Sequence, residues 1–300
     1  MEVLLMNIRI LSSKTYPENS RINYGDCILI DDNTNHTLII YDCGHEEHAK
    51  QVIKYMDTHN YSKATFILSH NDSDHFNGLQ TLLDADKIDK IITTLLLKYV
   101  DQILDEIDDN RKTRNSLKNQ ILDKYDNIAK LSGYPIKDYY EINPQITSNV
   151  KLVGPSFEYM ISAVAKHLDT TEGDTVDQES PYNATSLLVE VAVNGKKLLL
   201  TGDCAFSPIE KLVTDYDYIQ LPHHGKVKQA EKIFEKNIFK YYVEYYISDN
   251  TGNSNGGSDK LDTTGHIVYN TKILGNLSII DKNYTQNHSL IPPIIGSYGE

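Results

Sequence analysis

Apolar positions in this chain follow two rhythms. The runs "DCILIDD" (26–32), "HTLIIYDCG" (36–44) and "ATFILSH" (64–70) are short, rich in β-branched residues and closed by Asp, Gly or His, as strands stopped by turns are. Between the last two, "EEHAKQVIKYMDTHN" (46–60) has helical spacing, and the order strand, helix, strand predicts a layered sheet with helices on its face. The rhythm changes at about 91–146. Leu96, Val100, Ile103 and Ile107, then Leu117, Ile121, Tyr125 and Ile128, recur at three- and four-residue steps among Lys, Asp and Asn. That predicts an inserted helical hairpin with "DDNRKTRN" (108–115) at its boundary. A second strand-rich half follows in "NVKLVGP" (149–155), "TSLLVEVAVNGKKLLLTGD" (185–203) and "YDYIQLPHHG" (216–225), with Asn194-Gly195 as a tight hairpin signal. After a Gly/Asn/Ser-rich loop, "DNTGNSNGGSD" (249–259), the run "HIVYNTKILGNLSIID" (266–281) supplies closing strands. The two strand-rich halves invite an α/β sandwich, and 300 residues suit one large domain or two modest ones.

Composition narrows the partners. Hydrophobic content of 40% and charged content of 24% are those of an ordinary globular protein, but the formal net charge is −13. That acidity argues against a broad clamp on nucleic-acid phosphates, although a local metal-centred site could still hold a phosphodiester. The three cysteines (Cys27, Cys43, Cys204) are scattered and odd in number, which favours a reducing compartment. "MEVLLMNIRILSS" reads as a first strand, not a targeting leader, and no run approaches the ~20 apolar residues of a membrane helix. The expectation is a cytoplasmic protein with no membrane association.

The chemistry concentrates where strands stop. His70, Asp72, Asp74 and His75 form H-x-D-x-D-H after "ATFILS". Alternate residues of an extended segment point the same way, so the first three can converge, and His75 joins if the chain then turns. Such a set buried without a cation would be strained, whereas Zn²⁺ or Mn²⁺ accepts its mixture of N and O donors. Apolar "KKLLL" runs into Thr201-Gly202-Asp203, and "DYIQL" runs into Pro222-His223-His224-Gly225. Three strands thus end at metal-competent residues. By contrast, His45 and His48 fall on the predicted helix and read as solvated, and Gly25-Asp26 reads as a turn at the rim.

H-x-D-x-D-H, then GD, then PHHG, in this order, resembles the metallo-β-lactamase fold, with Asp72 where the usual motif has a second His. This variant is similar to the soluble domain of competence DNA-uptake channel proteins of the ComEC type. "YGDCILI", "LIIYDCG", "NATSLLVEVAVNGKKLLLTGD", "YISDNTGN" and "VYNTKILGNLSI" extend the likeness over most of the chain outside 91–146. The resemblance implies a single αββα sandwich domain over 1–300, with a helical insertion at about 91–146 and a dinuclear site. His70 and Asp72 would hold the first metal, and Asp74, His75 and His224 the second, with Asp203 bridging. Family precedent favours His224 over His223 as ligand. His223 would be a catalytic contact to substrate or leaving group, with Asp74 a catalytic group as well as a ligand. Asp42 would lie behind the ligands. His167 is the candidate for a further ligand, and Asn183 and Ser186 are candidates either for substrate contact or for holding a loop by side-chain to backbone bonds. The family pattern departs at Lys226, where Ser is common after PHHG.

Two divalent ions, Zn or Mn, would bring a shared water towards ionisation at neutral pH and compensate charge on an attacked phosphodiester. The expectation is therefore a dinuclear metal-dependent hydrolase, a phosphodiesterase or nuclease using a metal-bridging hydroxide, with DNA as the implied substrate. The alternatives are hydrolysis of a small phosphoester, lactone or thioester, or an effector subunit active only with a partner. A protein partner or a second copy of the chain would dock on the helical insertion.

Overall fold

The computed structural model describes residues 5–17, 22–109, 111–124, 128, 131, 133–169, 179–249 and 257–280. Tyr125 and residues 250–256 of the Gly/Asn/Ser loop lie outside them. Seven strands build the first sheet: β1 (Met6–Ile10), β2 (Cys27–Asp32), β3 (Thr37–Cys43), β4 (Ala64–Ile67), β5 (Ile88–Thr93), β6 (Ile136–Asp138) and β13 (Leu277–Ile280). The second holds β7 (Val150–Gly154), β8 (Leu188–Val193), β9 (Lys196–Leu200), β10 (Tyr218–Gln220), β11 (Glu244–Ile247) and β12 (Ile267–Asn270). Their spatial orders are β13-β1-β2-β3-β4-β5-β6 and β12-β11-β10-β9-β8-β7.

Period-two patterning explains the layers. Ile28 and Ile30 of β2, with Ile39 and Tyr41 of β3, face Val189, Val191, Leu198, Leu200 and Tyr218 of the other sheet in a shared core. The intervening Cys27, Leu29, Leu38 and Ile40 face outwards, onto Ala49, Val52 and Met56 of the helix Glu46–His59 and Leu79 and Leu82 of the helix Leu79–Asp84. On the far side, Leu199, Ile219 and Tyr245 pack against Ala230, Ile233 and Phe234 of the helix Val227–Lys236. The result is the expected αββα sandwich. Each buried aliphatic side chain contributes roughly 1.5–3 kcal/mol relative to exposure.

The inserted stretch is narrower in helix than 91–146. Residues 91–93 belong to β5 and 136–138 to β6, because Ile91 and Ile92 pair in parallel with Ile136 and Lys137 at the sheet edge. Between them, Leu96, Val100, Ile103, Leu117 and Ile121 form a core with Met160, Ile161, Val164 and Leu168 of the helix Phe157–Asp169. The Asn194-Gly195 turn closes the β8–β9 hairpin with both residues at positive φ, 59° and 68°.

Topology places the site. β3, β4 and β5 run parallel, as do β9, β10 and β11, so the C-terminal ends of each group lie side by side. β2 is antiparallel to β3, with Cys27 opposite Cys43, so residues just before β2 reach the same edge.

Candidate metal centre

His70 follows β4, Asp203 follows β9 and His224 follows β10, and the sandwich brings all three together. His75 Nε2 lies 3.3 Å from Asp203 Oδ1, and His224 Nε2 3.2 Å from Asp74 Oδ2. Asp203 Oδ2 stands 4.0 Å from the Nε2 of both His70 and His224. Donor atoms of His70, His75 and Asp203 lie within 4.8 Å of one another, as do those of Asp74, His75 and His224, and those of Asp26, Asp203 and His224. His75 and Asp203 therefore join neighbouring donor groups. Asp72, with its side chain 41% exposed, stands at the cleft mouth with Oδ2 3.6 Å from His70 Nε2, outside these tight groups.

A common construction fixes the imidazoles: a partner holds Nδ1 and Nε2 faces inwards. Ser69 and Ser186 hydroxyls lie 2.9 and 3.2 Å from His70 Nδ1. Asp42 takes His75 Nδ1 at 2.8 Å, and the Ser248 carbonyl takes His224 Nδ1 at 2.8 Å with Asp26 Oδ1 at 3.1 Å. Glu179 takes His223 Nδ1 at 2.8 Å. Such partners set the tautomer and ring direction of metal-binding histidines.

The donors fit a divalent cation. Among the described residues, His70 Nε2, His75 Nε2 and Asp203 Oδ1 are buried and make no hydrogen bond. Buried polar atoms are normally satisfied, because leaving one unpaired costs about 1–3 kcal/mol. Two ligands each ~2.1 Å from a tetrahedral ion are separated by ~3.4 Å, close to the His75–Asp203 spacing. The charges within the cluster also compensate one another. Burial alone would lower the His75 pKa, but Asp203, Asp42 and Asp74 raise it well above the usual imidazole value. Burial opposes ionisation of Asp203, yet His75, His223 and His224 hold it well below the usual carboxylate range. Asp74 is likewise lowered, against burial, by His75 and His224.

The local backbone is specialised. Asp42, His223 and His224 adopt positive φ (59°, 53° and 55°), which costs a non-glycine residue of order 1 kcal/mol or more and is characteristic of functional turns. Gly25 and Gly44 flank the Asp74 carbonyl, which accepts from Asp26 N at 3.0 Å, while Gly44 N donates to the Asp26 carbonyl at 2.8 Å. A Cβ at either glycine would collide with Asp74. The Gly-Asp and Asp-Cys-Gly motifs thus clamp the turn that carries Asp74 and His75. Asn23 Nδ2 adds a 2.7 Å bond to Asp74 Oδ2.

A cleft of about 570 Å³ opens over this cluster, lined by Asp72, Asp74, Asn183, Asp203, His223 and Lys226 among others. Asn183 Nδ2 lies 3.5 Å from Asp203 Oδ2. His223 Nε2 lies 3.8 Å from the same oxygen, beside the donor groups, which contain His224 and not His223. Lys226 Nζ pairs with Glu179 at 2.8 Å. His167, on the helix Phe157–Asp169, packs edge-on against Tyr182 and belongs to none of the donor groups found among the described residues.

Some expectations change. His48 is buried, not solvated: its Nδ1 meets the Tyr16 hydroxyl at 2.8 Å and its Nε2 the Gly25 carbonyl at 3.2 Å. Desolvation lowers its pKa to about 4. Asp26 is more than a rim turn. It is buried, accepts from Gln220 Nε2 at 2.7 Å across the sandwich and lies against His224. Sequence reasoning singled out Ser186 but missed Ser69 and Glu179. Ser69 precedes a ligand candidate directly and was the more findable of the two. Glu179 sits on no strand and in no motif.

No family model matches the chain, and no curated protein matches it. Solved structures that the chain matches include the metallo-β-lactamase fold protein YhfI from Bacillus subtilis, at 12% identity and TM-score 0.41, covering 84% of this chain and 76% of that one. Another is the metallo-β-lactamase of Cronobacter sakazakii, at 13% identity and TM-score 0.35, covering 74% and 80%.

Proposed function

We propose that the protein is a metal-dependent hydrolase of phosphodiesters, with His70, Asp72, Asp74, His75, Asp203 and His224 holding two divalent ions. The observation that carries this reading is the set of buried donor atoms on His70, His75 and Asp203, without hydrogen bonds among the described residues, beneath an open polar cleft. Bound there, Zn²⁺ or Mn²⁺ supplies charge compensation for a phosphoryl group and lowers the pKa of water near it. The chain's own residues do the rest. Asp203 and Asp74 offer ionised carboxylates able to orient a water, and Asp42, Ser69, Ser186 and Asp26 keep the imidazoles aimed inwards. His223 presents Nε2 to the cleft, within reach of a substrate oxygen, and Asn183 offers an amide donor beside it.

Nucleic acid is the first substrate to test, supported by the likeness of the H-x-D-x-D-H, GD and PHHG series to the DNA-uptake proteins. A small phosphodiester is the second reading. It is favoured by the net charge of −13 and by a cleft wall that carries Asp72, Asp74, Asp203 and Glu179 against Lys226. Purified protein loaded with Mn²⁺ or Zn²⁺ should hydrolyse linear DNA or a chromogenic phosphodiester, and His75→Ala and Asp203→Ala should each lose that activity. Cleavage without metal, or cleavage by both variants at the parent's rate, discards the reading.

A further inference from the structure

We propose that Glu179 is the positioning residue for His223, fixing which ring nitrogen of that histidine faces the substrate. The inference deepens the hydrolytic reading above and rests on it. Glu179 is 1% exposed, yet no ligand candidate touches its carboxylate. Instead three donors converge on it: His223 Nδ1 at 2.8 Å, Lys226 Nζ at 2.8 Å and Gln229 Nε2 at 3.0 Å. A carboxylate this deep needs such compensation, and its two oxygens have lone pairs enough for all three.

The consequence falls on the histidine. His223 stands on a left-handed turn with its side chain partly open to the cleft, so backbone and packing leave its ring direction to side-chain contacts. Asn183 Nδ2 lies 3.3 Å from the same Nδ1, but an amide nitrogen is a donor, and the acceptor among the two neighbours is Glu179. With Nδ1–H committed to Glu179, Nε2 points at Asp203 Oδ2 and the space above it. Lys226 and Gln229 hold the carboxylate from the helical side, so it cannot swing away with the ring. Asp42 and His75 show the same construction on a ligand candidate; here it serves a histidine outside the donor groups.

The test uses the full-length, zinc-loaded protein. Glu179→Gln keeps the side-chain volume, and Glu179→Asp keeps the charge but withdraws it from His223. Both should lower kcat on a chromogenic phosphodiester about 10–100-fold, the range seen when a histidine's supporting partner is removed, with KM and zinc content unchanged. The double variant Glu179→Gln/His223→Gln should be no slower than His223→Gln alone. Histidine-selective ¹⁵N spectra at fixed pH, with His223 assigned from its loss in His223→Gln, should show a protonated Nδ1 in the parent and a changed pattern in both Glu179 variants. An unchanged His223 pattern, multiplying losses in the double variant, or a drop in zinc content would overturn the proposal. Should no protein turn over any phosphodiester while the His223 pattern still responds, the hydrolytic reading falls and the positioning role stands.

Discussion

Asp42 Oδ2 accepts from His75 Nδ1 at 2.8 Å while the same carboxylate takes the backbone N–H of Ser69 at 2.7 Å and its hydroxyl at 2.6 Å. One side chain on β3 thus orients His75 and braces the residue next to His70, so two imidazoles from either side of the β4 turn share a single buried anchor. Nothing about Asp42 as a lone acid after a strand distinguishes it from a turn former. The relationship exists because β3 and β4 are parallel neighbours whose ends coincide.

Asp42→Asn tests that anchor. Asn tolerates positive φ and still accepts from Ser69, but it cannot neutralise or orient His75 as a carboxylate does. Affinity for Zn²⁺, measured by competition with a chromophoric chelator, should fall about 10–100-fold, with the fold retained by circular dichroism.

His48 gives a pH signature independent of metal. Its folded pKa of about 4 lies below the unfolded value near 6.5, so the buried ring stays neutral while the unfolded chain takes up a proton. Its stabilising effect is complete above ~6.5 and is lost as pH falls towards 4. Between pH 7 and 5 the linkage amounts to about 2 kcal/mol. Urea unfolding of the chelator-treated protein should lose that much more stability over this range than His48→Gln does. Equal slopes would show that the ring titrates normally.

The Gly25 clamp predicts a steric effect. Gly25→Ala places a Cβ against the Asp74 carbonyl at a residue with φ of 62° and should destabilise by more than about 2 kcal/mol in urea unfolding. Zn²⁺ binding should weaken in the folded fraction, because the displaced turn carries both Asp74 and His75. A near-neutral substitution would mean the turn has slack.

What the sequence made legible follows from geometry. His70, Asp203 and the His223-His224 pair could be read because each stands directly after an apolar run, and parallel strands gather their C-terminal ends. Asp26 could not be read this way: it precedes β2, and only the antiparallel pairing of Cys27 with Cys43 brings it to that edge. His48 looked solvated because the amphipathic pattern of its helix says which face is polar, not what covers that face. Here Tyr16 covers it, edge-on to the ring and with its hydroxyl on Nδ1. Glu179 lacks any periodicity or motif, and its role emerges from side chains 44, 47 and 50 residues away. The C-terminal edge of the helical stretch was misread because β6 is three residues long, too short to impose a period of two.

The central measurement is metal content by mass spectrometry of the purified chain after loading with Zn²⁺ or Mn²⁺ and desalting. Two equivalents should remain on the parent protein and should drop sharply in Asp203→Ala, whose carboxylate contacts His70, His75 and His224. A parent protein that retains no more metal than Asp203→Ala would contradict the assignment of this cluster as a metal centre.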